Sequence, residues 1–129
     1  MNARILMIED NEQNRYLATF LLEHHGHRVF SEPDGPSGLA RALGEPFDLI
    51  LLDIQLPGMD GYAVARALRA NDATRCVPII AVTSYAMAGD RENVFAAGCD
   101  GYLEKPIDPE HFIAQLSRFL PATSTGVQP

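Results

Sequence analysis

The sequence has no apolar run long enough to cross a membrane, and no basic stripe of the kind that DNA-binding modules carry. Its opening apolar stretch is followed directly by Glu9 and Asp10, which makes the N-terminus too short and too acidic for a signal peptide. Acidic residues outnumber basic ones by 17 to 10, and the formal charge is −7. These features predict a cytoplasmic protein that uses neither a membrane nor nucleic acid as a partner.

Cysteine and lysine are both scarce. The two cysteines, Cys76 and Cys99, lie far apart without CxxC spacing, so we expect two free thiols rather than a disulfide. Nine arginines accompany a single lysine, Lys105. Because a compact ammonium on a flexible stem can do what a planar guanidinium cannot, we interpret Lys105 as a functional residue. One leftover lysine in an arginine-rich chain is the alternative.

Short apolar runs alternate with helical patterns along the 129 residues, a length that suits one domain. Each run is too short for a helix and lacks polar alternation, which is typical of strands buried on both faces. The predicted strands are 4–8, 27–31, 49–52, 78–82 and 101–105. Strict alternation with five helices predicts an α/β fold of the flavodoxin-like (βα)5 type, a three-layer sandwich around a five-stranded parallel sheet of order 2-1-3-4-5.

Polar caps and apolar spacing define the helices between these strands. Asn11 is expected to cap the first helix and Asp108 the fifth, with Pro109 at the first helical position. The third and fourth helices are predicted over 62–70 and 87–97. The predicted core-facing residues are Leu17, Phe20, Leu21 and His24 in the first helix, Leu39, Ala40 and Leu43 in the second, Val64, Ala65 and Leu68 in the third, and Phe112, Ile113, Leu116, Phe119 and Leu120 in the fifth.

Polar side chains stand where four of the predicted strands end. Glu9 and Asp10 follow the first strand and Asp53 the third, while Thr83 and Lys105 end the fourth and fifth. In a sheet of order 2-1-3-4-5 these four strands are consecutive neighbours, so we expect the side chains to meet at one rim. Asp53 is either a reactive carboxylate or an aspartate that only caps the loop after its strand. The residues around Asp53, taken alone, leave both interpretations open.

The composition of this rim favours phosphoryl chemistry. Three carboxylates repel one another and require a cation, and oxygen ligands without Cys or His select Mg²⁺, with Mn²⁺ as the alternative. A carboxylate can act as a nucleophile toward phosphorus, and Asp53 is the best candidate because it ends the most buried strand. Lys105 and the Thr83 hydroxyl would stabilise the charge on the transferring group. Glu9 and Asp10 would hold the metal.

Short motifs surround these rim residues, namely Ile8-Glu9-Asp10-Asn11, Leu56-Pro57-Gly58-Met59-Asp60-Gly61 after Asp53, Ala81-Val82-Thr83, Ala97-Gly98 and Lys105-Pro106. Through them the chain resembles the receiver domain of two-component response regulators over residues 3–120. It is most similar to stand-alone receivers of the DivK type, through a pattern that receivers of hybrid kinases largely share. That narrower pattern is Val82-Thr83-Ser84-Tyr85-Ala86-Met87 with Gly89-Asp90.

The resemblance implies a role for each rim residue. Asp53 is the expected phosphoacceptor, and Thr83 and Lys105 are expected to contact the phosphoryl oxygens. The acidic pair is Glu-Asp where many relatives carry Asp-Asp, a variant that affects only the geometry at Glu9. The implied metal ligands are Asp53, Asp10 directly, Glu9 through water, and the backbone carbonyl of Gln55.

Further implications concern the switch and the lifetime of the phosphoryl group. The Lys105–Pro106 bond is expected to be cis. Movement of Thr83 toward the phosphoryl group is expected to let Tyr102 turn inward, which changes the face formed by the fourth helix, fifth strand and fifth helix. Gln55 and Tyr85, each two residues past a rim residue, are placed to shield the phosphoryl group from water.

The function implied is that of a single-domain response regulator phosphorylated by a sensor histidine kinase or a histidine phosphotransfer protein. It would catalyse its own phosphorylation and hydrolysis without turning over a separate substrate, as a monomer or a weak phosphorylation-dependent dimer. Residues 1–121 would form the receiver domain and 122–129 a disordered tail. The alternatives are a phosphoryl-shuttling relay intermediate, or a receiver fragment of a hybrid histidine kinase or multidomain regulator.

Two other classes that share parts of this pattern fit less well. FMN binding requires a hydroxyl- and glycine-rich loop after the first strand, where this chain has acidic Glu9 and Asp10. A phosphatase of the haloacid-dehalogenase type requires a second aspartate two residues after the nucleophile, and Gln55 occupies that position.

Overall fold

Five parallel strands form a single sheet in the order β2-β1-β3-β4-β5, as the sequence predicted. The computed structural model describes residues 3–84 and 88–120. The strands are β1 (Arg4–Ile8), β2 (Arg28–Glu32), β3 (Leu49–Asp53), β4 (Ile79–Thr83) and β5 (Gly101–Glu104). The helices are α1 (Glu12–His24), α2 (Gly35–Gly44), α3 (Gly61–Ala70), α4 (Ala88–Ala96) and α5 (Phe112–Ser117).

The sheet lies between two hydrophobic clusters. The central strands β3 and β4 are therefore buried along their whole length. On one face, Ala18 and Leu22 of α1 pack with Phe112 and Leu116 of α5. The opposite cluster is covered by α2, α3 and α4. Alternate residues of each central strand enter opposite clusters, which explains why these strands have no polar position before their last residue.

Side-chain caps start three of the helices within the described residues. Asn11 accepts a hydrogen bond from the backbone N–H of Asn14 at 2.9 Å, as expected for the cap of α1. Asp34 caps α2 and Asp60 caps α3 in the same way. Since Asn11 directly follows the acidic pair, the cap of α1 fixes the direction in which the chain leaves the rim.

The apolar faces of α1 and α2 were predicted only in part: Leu17, Leu21 and Leu39 pack against the hydrophobic clusters, whereas Phe20, His24, Ala40 and Leu43 are exposed. Phe20 is 55% exposed, and α1 instead buries Ala18 and Leu22, so its inner face is rotated relative to the prediction. The rings of Tyr16, Phe20 and His24 stack along the outer side of α1, with centroids 6.5 and 6.1 Å apart. Small side chains let a helix approach a sheet closely. The spacing of the large apolar residues in the sequence does not show where such a close approach occurs.

The same error occurs in α2. This helix buries Gly35, Gly38 and Ala42, whereas Ala40 and Leu43, both predicted to face the core, are not among its buried residues. A Cβ at position 38 would lie 2.5 Å from Ile8 Cδ1, so α2 packs directly onto β1 at a glycine.

Several boundaries differ from the prediction by one residue, and the start of α5 differs by more. Asp108 does not cap α5, which begins at Phe112 after His111. The Asp108 carboxylate instead accepts hydrogen bonds from the Glu110 backbone N–H and from His111 Nδ1, which forms a turn before the helix. None of the helices in the described part of the chain is long and apolar enough to span a membrane.

Candidate functional site

The three predicted carboxylates meet at the carboxyl end of the sheet. Asp53, the last residue of β3, is 1% exposed, and Glu9, directly after β1, is 3% exposed. Asp10 is exposed at the surface. One carboxylate oxygen of each residue lies within 4.8 Å of the others. The structure therefore brings together residues from two neighbouring strands, as the strand order required.

A glycine permits this arrangement after β3. A Cβ on Gly61 would lie 2.5 Å from the backbone oxygen of Asp53 and 2.6 Å from Ile54 Cα. The backbone N–H of Gly61 donates to the Ile54 carbonyl at 3.0 Å. The first turn of α3 can therefore lie directly against the end of β3 only because no side chain intervenes.

Lys105 bridges the two buried carboxylates. Its Nζ lies 3.2 Å from Asp53 Oδ2 and 3.4 Å from Glu9 Oε1, and its side chain is 15% exposed. The backbone N–H of Lys105 donates to the Thr83 carbonyl at 2.8 Å, which continues the pairing of β4 and β5 by one residue. The Lys105–Pro106 peptide bond is cis. The single lysine of the chain thus places a positive charge between the two buried carboxylates.

Gln55 links the ends of β3 and β4. Its backbone N–H donates to Asp53 Oδ1 at 2.9 Å, and its side-chain Nε2 donates to Thr83 Oγ1 at 2.9 Å. The side-chain contact was not predicted from the sequence, where Gln55 entered as a carbonyl ligand and a shield. The position of Gln55, two residues past Asp53, indicated that it lies near the rim. The direction of its side chain could not be predicted, because it depends on the conformation of the loop between β3 and α3.

Arg15 is a second residue that the sequence did not single out. Its guanidinium Nη1 donates to the backbone carbonyl of Glu9 at 2.8 Å. Arg15 lies four residues after Asn11, so one turn of α1 returns it toward the residues that precede the cap. It therefore stabilises the backbone at the acidic pair from the helix side.

Burial raises the pKa of the Glu9 carboxyl, since its charged form is desolvated. The Asn11 backbone N–H, which donates to Glu9 Oε2 at 3.1 Å, opposes this shift. The Asp53 charge raises the pKa further, and Lys105 lowers it. The folded protein therefore binds the Glu9 proton more tightly than the unfolded chain does, and ionised Glu9 lowers the free energy of unfolding.

We expect the E9Q variant, without metal, to melt a few degrees higher than the wild type at about pH 8. Ionised Glu9 destabilises the folded protein, and this cost grows as the pH rises from the pKa of the unfolded chain through the raised pKa of the folded protein. At about pH 4 the cost is absent, so the two melting temperatures should become equal. Circular dichroism melts across this range measure it, with exposed Glu12→Gln as the control. A melting temperature of E9Q equal to or below that of the wild type at high pH would contradict the argument.

The donor set fits a hard divalent cation. Asp53 Oδ2 is buried and, within the described residues, accepts no hydrogen bond, although the Lys105 ammonium lies within ion-pair distance. Its neighbours in the cluster are the carboxylates of Glu9 and Asp10, and all three residues offer oxygen. Such a set matches the preference of Mg²⁺ or Mn²⁺ and lacks the nitrogen and sulfur ligands of zinc sites.

Tyr102 lies apart from the carboxylates, against α4. The Arg91 guanidinium carbon lies 5.1 Å from the centroid of the Tyr102 ring, and the Phe95 ring meets it edge-on at 6.4 Å. Phe95 is 46% exposed. Tyr85, the second residue expected to shield the phosphoryl group, lies outside the described residues, as does the tail 122–129.

Comparison with known proteins gives consistent results. The model of the response regulator receiver domain family matches residues 5–117. The polar-differentiation response regulator DivK of Brucella anthropi is 38% identical over 120 residues, which cover 93% of this chain and 98% of DivK.

Solved structures agree with the sequence relatives. The receiver domain of the sensor histidine kinase PA1611 from Pseudomonas aeruginosa, solved with a magnesium ion in its active-site cleft, superposes with a TM-score of 0.85. It is 39% identical, and the match covers 92% of this chain and 98% of that one. The chemotaxis response regulator CheY4 of Vibrio cholerae gives a TM-score of 0.89 at 29% identity, with 93% and 100% coverage.

The fold and the rim place the chain among the doubly wound α/β proteins that carry an acidic cluster and a lysine at the carboxyl end of the sheet. Within that class, the chain belongs to the response regulator receiver domain family of two-component signalling. The resemblance, the fold and the general function predicted from the sequence are thereby confirmed. Members of the family are signalling proteins rather than enzymes with a separate substrate, and they interact with histidine kinases or phosphotransfer proteins.

Proposed function

We propose that this chain is a single-domain response regulator that receives a phosphoryl group on Asp53 from a sensor histidine kinase or a histidine phosphotransfer protein. The observation that carries the proposal is the state of Asp53 Oδ2, a buried oxygen that accepts no hydrogen bond from the described residues. It lies 3.2 Å from Lys105 Nζ. A carboxylate oxygen that is desolvated and beside a cation is suited to attack phosphorus.

The transfer forms one bond and breaks one. Asp53 Oδ2 supplies the electron pair for the new O–P bond, and the N–P bond of the donor phosphohistidine breaks. Its electron pair remains on the imidazole nitrogen. Lys105 would lie beside the equatorial oxygens that carry the transferring charge, and the Thr83 hydroxyl would donate to one of them. Hydrolysis by water later returns the Asp53 carboxylate and inorganic phosphate.

The metal in this proposal is Mg²⁺, with Mn²⁺ as the alternative. Glu9, Asp10 and Asp53 would hold it, with the backbone carbonyl of Gln55 as a further ligand. When bound, the ion would neutralise charge on the carboxylates and on the phosphoryl oxygens. Glu9 takes part in its ionised form, and burial, which raises the pKa of its carboxyl, disfavours that form.

The output in this proposal is a change on the face formed by α4, β5 and α5. Thr83 would move toward the phosphoryl group, and Tyr102 would leave its position against Arg91 and Phe95. A downstream protein would read that face, with the receiver as a monomer or a weak phosphorylation-dependent dimer in the cytoplasm. Gln55 and Tyr85 would set the phosphoryl lifetime, and no separate substrate would be turned over.

A second candidate role is that of a relay intermediate or a receiver from a hybrid kinase. The observation in its favour is the similarity to the PA1611 receiver, which belongs to a sensor histidine kinase and is as similar in sequence as DivK. Rapid back-transfer from phosphorylated Asp53 to a phosphotransfer protein would favour a relay. Stable phosphorylation together with binding of a non-kinase partner would favour a response regulator with its own output.

Asp53→Asn should abolish phosphorylation. Incubation with acetyl phosphate and Mg²⁺ should give the wild type one adduct of a single phosphoryl group in the intact mass, because the P–O bond to acetate breaks as the bond to Asp53 forms. Neither the D53N variant nor the wild type without a divalent metal should form it. Asp72→Asn is the matched control, since this aspartate side chain is 89% exposed and does not belong to the acidic cluster.

Two results would contradict the proposed function. One is an adduct of equal yield in the D53N variant, which would place the phosphoryl group elsewhere. The other is a wild type that forms no adduct with acetyl phosphate or with phosphorylated donor proteins and shows no Mg²⁺-dependent NMR shifts. NMR is the suitable probe of metal binding, because the chain contains no tryptophan.

A further inference from the structure

We propose that the Gln55 side chain is a positioning residue that orients the Thr83 hydroxyl for the phosphoryl group on Asp53. This inference rests on the proposed function. Gln55 is in contact with both partners, since its backbone N–H donates to Asp53 Oδ1 and its Nε2 donates to Thr83 Oγ1, each at 2.9 Å. One residue therefore connects the proposed phosphoacceptor to the hydroxyl that would stabilise the transfer.

The orientation of the Gln55 carboxamide follows from a third contact. The backbone N–H of Ser84 donates to Gln55 Oε1 at 3.3 Å. A backbone N–H can only donate, so the oxygen of the carboxamide must face Ser84 and its NH₂ group must face Thr83. The reverse orientation would place two donors against each other at Ser84. The hydrogen bond to Thr83 therefore has a defined direction.

That direction constrains the Thr83 hydroxyl. A hydroxyl has one proton to donate and two lone pairs to accept with. Because Gln55 Nε2 occupies one lone pair of Thr83 Oγ1, the hydroxyl proton must point away from Gln55. Thr83 is 2% exposed and follows Val82, the registered partner of Asp53, so its backbone is fixed beside the end of β3. An oriented donor stabilises a developing negative charge without reorganising first.

This role differs from shielding the phosphoryl group against water. A shield acts on hydrolysis by excluding the attacking water, and it works whether or not residue 83 has a hydroxyl. A positioning residue acts on formation of the Asp53 adduct, and its effect requires the hydroxyl that it orients. A double-mutant cycle between Gln55 and Thr83 separates the two roles.

The test measures the rate constant of adduct formation from acetyl phosphate and Mg²⁺, followed by intact mass on the full chain. Q55L keeps the bulk of the side chain but can neither donate nor accept, and we expect it to slow formation by about three- to tenfold. In the T83V background, which lacks the hydroxyl, the same change should alter the rate by less than about 1.5-fold. In the T83S background, which restores a hydroxyl, the full effect of Q55L should return.

The outcomes separate the inference from the function on which it rests. If the wild type forms no adduct at Asp53, the proposed function fails. If the wild type is phosphorylated and Q55L slows formation equally with and without a hydroxyl at position 83, Gln55 acts independently of Thr83 and the inference is wrong. It is equally wrong if Q55L forms the adduct at the wild-type rate and changes only its hydrolysis.

Discussion

Replacement of Lys105 by methionine should lower the rate of phosphorylation by acetyl phosphate by about 10²-fold. Lys105 is the only lysine of the chain, and its ammonium lies within 3.4 Å of both buried carboxylates. Methionine retains much of the length of the side chain but removes the charge. Under the proposed mechanism, the variant would therefore lose the stabilisation of the phosphoryl oxygens and keep the nucleophile.

The ammonium has two opposing effects that the kinetics can separate. It stabilises ionised Asp53 before transfer, and it stabilises the additional negative charge during transfer. A loss seen mainly in the rate of adduct formation, with little change in Mg²⁺ affinity, would indicate that the second effect dominates. Removal of the ammonium from beside Asp53 and Glu9 also removes its repulsion of a divalent cation, so the affinity for Mg²⁺ should stay unchanged or rise.

Lys105→Arg is the informative companion variant. Arginine keeps the charge, but its planar guanidinium is larger and cannot occupy the position of a compact ammonium between two carboxylates. We expect it to recover only part of the lost rate. Complete recovery in K105R would show that charge alone matters and that the choice of lysine is incidental. Wild-type rates in K105M would contradict the assignment of Lys105 to the transfer.

The convergence of Glu9, Asp53, Thr83 and Lys105 could be predicted because topology alone determines it. Right-handed crossovers limit the strand orders, and the carboxyl ends of neighbouring parallel strands must meet at one edge. No side-chain detail was needed for that step. The interactions that proved unpredictable are those that depend on rotamers and loop conformations, such as the hydrogen bond from Gln55 to Thr83.

The helix faces show a different limit. The spacing of Leu17, Phe20 and Leu21 indicated an amphipathic α1 correctly, but it placed the centre of the inner face wrongly. Large apolar residues dominate a periodicity, whereas close packing against a sheet is determined by small ones such as Ala18 and Gly38. The burial of a small residue leaves little signal in the sequence, because alanine and glycine also occur on exposed surfaces.

Arg69 illustrates a third limit, since nothing in the sequence distinguishes it from the other eight arginines. It lies at the end of α3, and its guanidinium connects the loop before β4 to the turn before β5. The Asp100 carboxylate joins Arg69 to the start of β4, because its Oδ2 accepts hydrogen bonds from Arg69 Nη2 at 2.6 Å and from the Ile79 backbone N–H at 2.8 Å. The backbone oxygens that accept from Arg69 belong to Thr74, Arg75, Val77 and Gly98.

Arg69→Met should therefore be strongly destabilising, by about 2–4 kcal/mol. The Arg69 side chain is 21% exposed, and loss of its guanidinium would leave the carbonyls of Val77 and Gly98, each 2.7 Å from the side chain, without this donor. Lysine should restore little, because one ammonium cannot reach acceptors on several sides. Urea unfolding followed by circular dichroism measures the change.

Arg75→Met is the matched control for this prediction. Arg75 pairs with Asp72 at 2.8 Å, but the two side chains are 63% and 89% exposed, so their contact is screened by water. Its removal should change the free energy of unfolding by less than about 0.5 kcal/mol. Equal unfolding midpoints for R69M and R75M would mean that the carbonyls around Arg69 are satisfied by water once the guanidinium is gone. A large difference would show that this guanidinium fixes the amino-terminal ends of β4 and β5, at the end of the sheet opposite the acidic cluster.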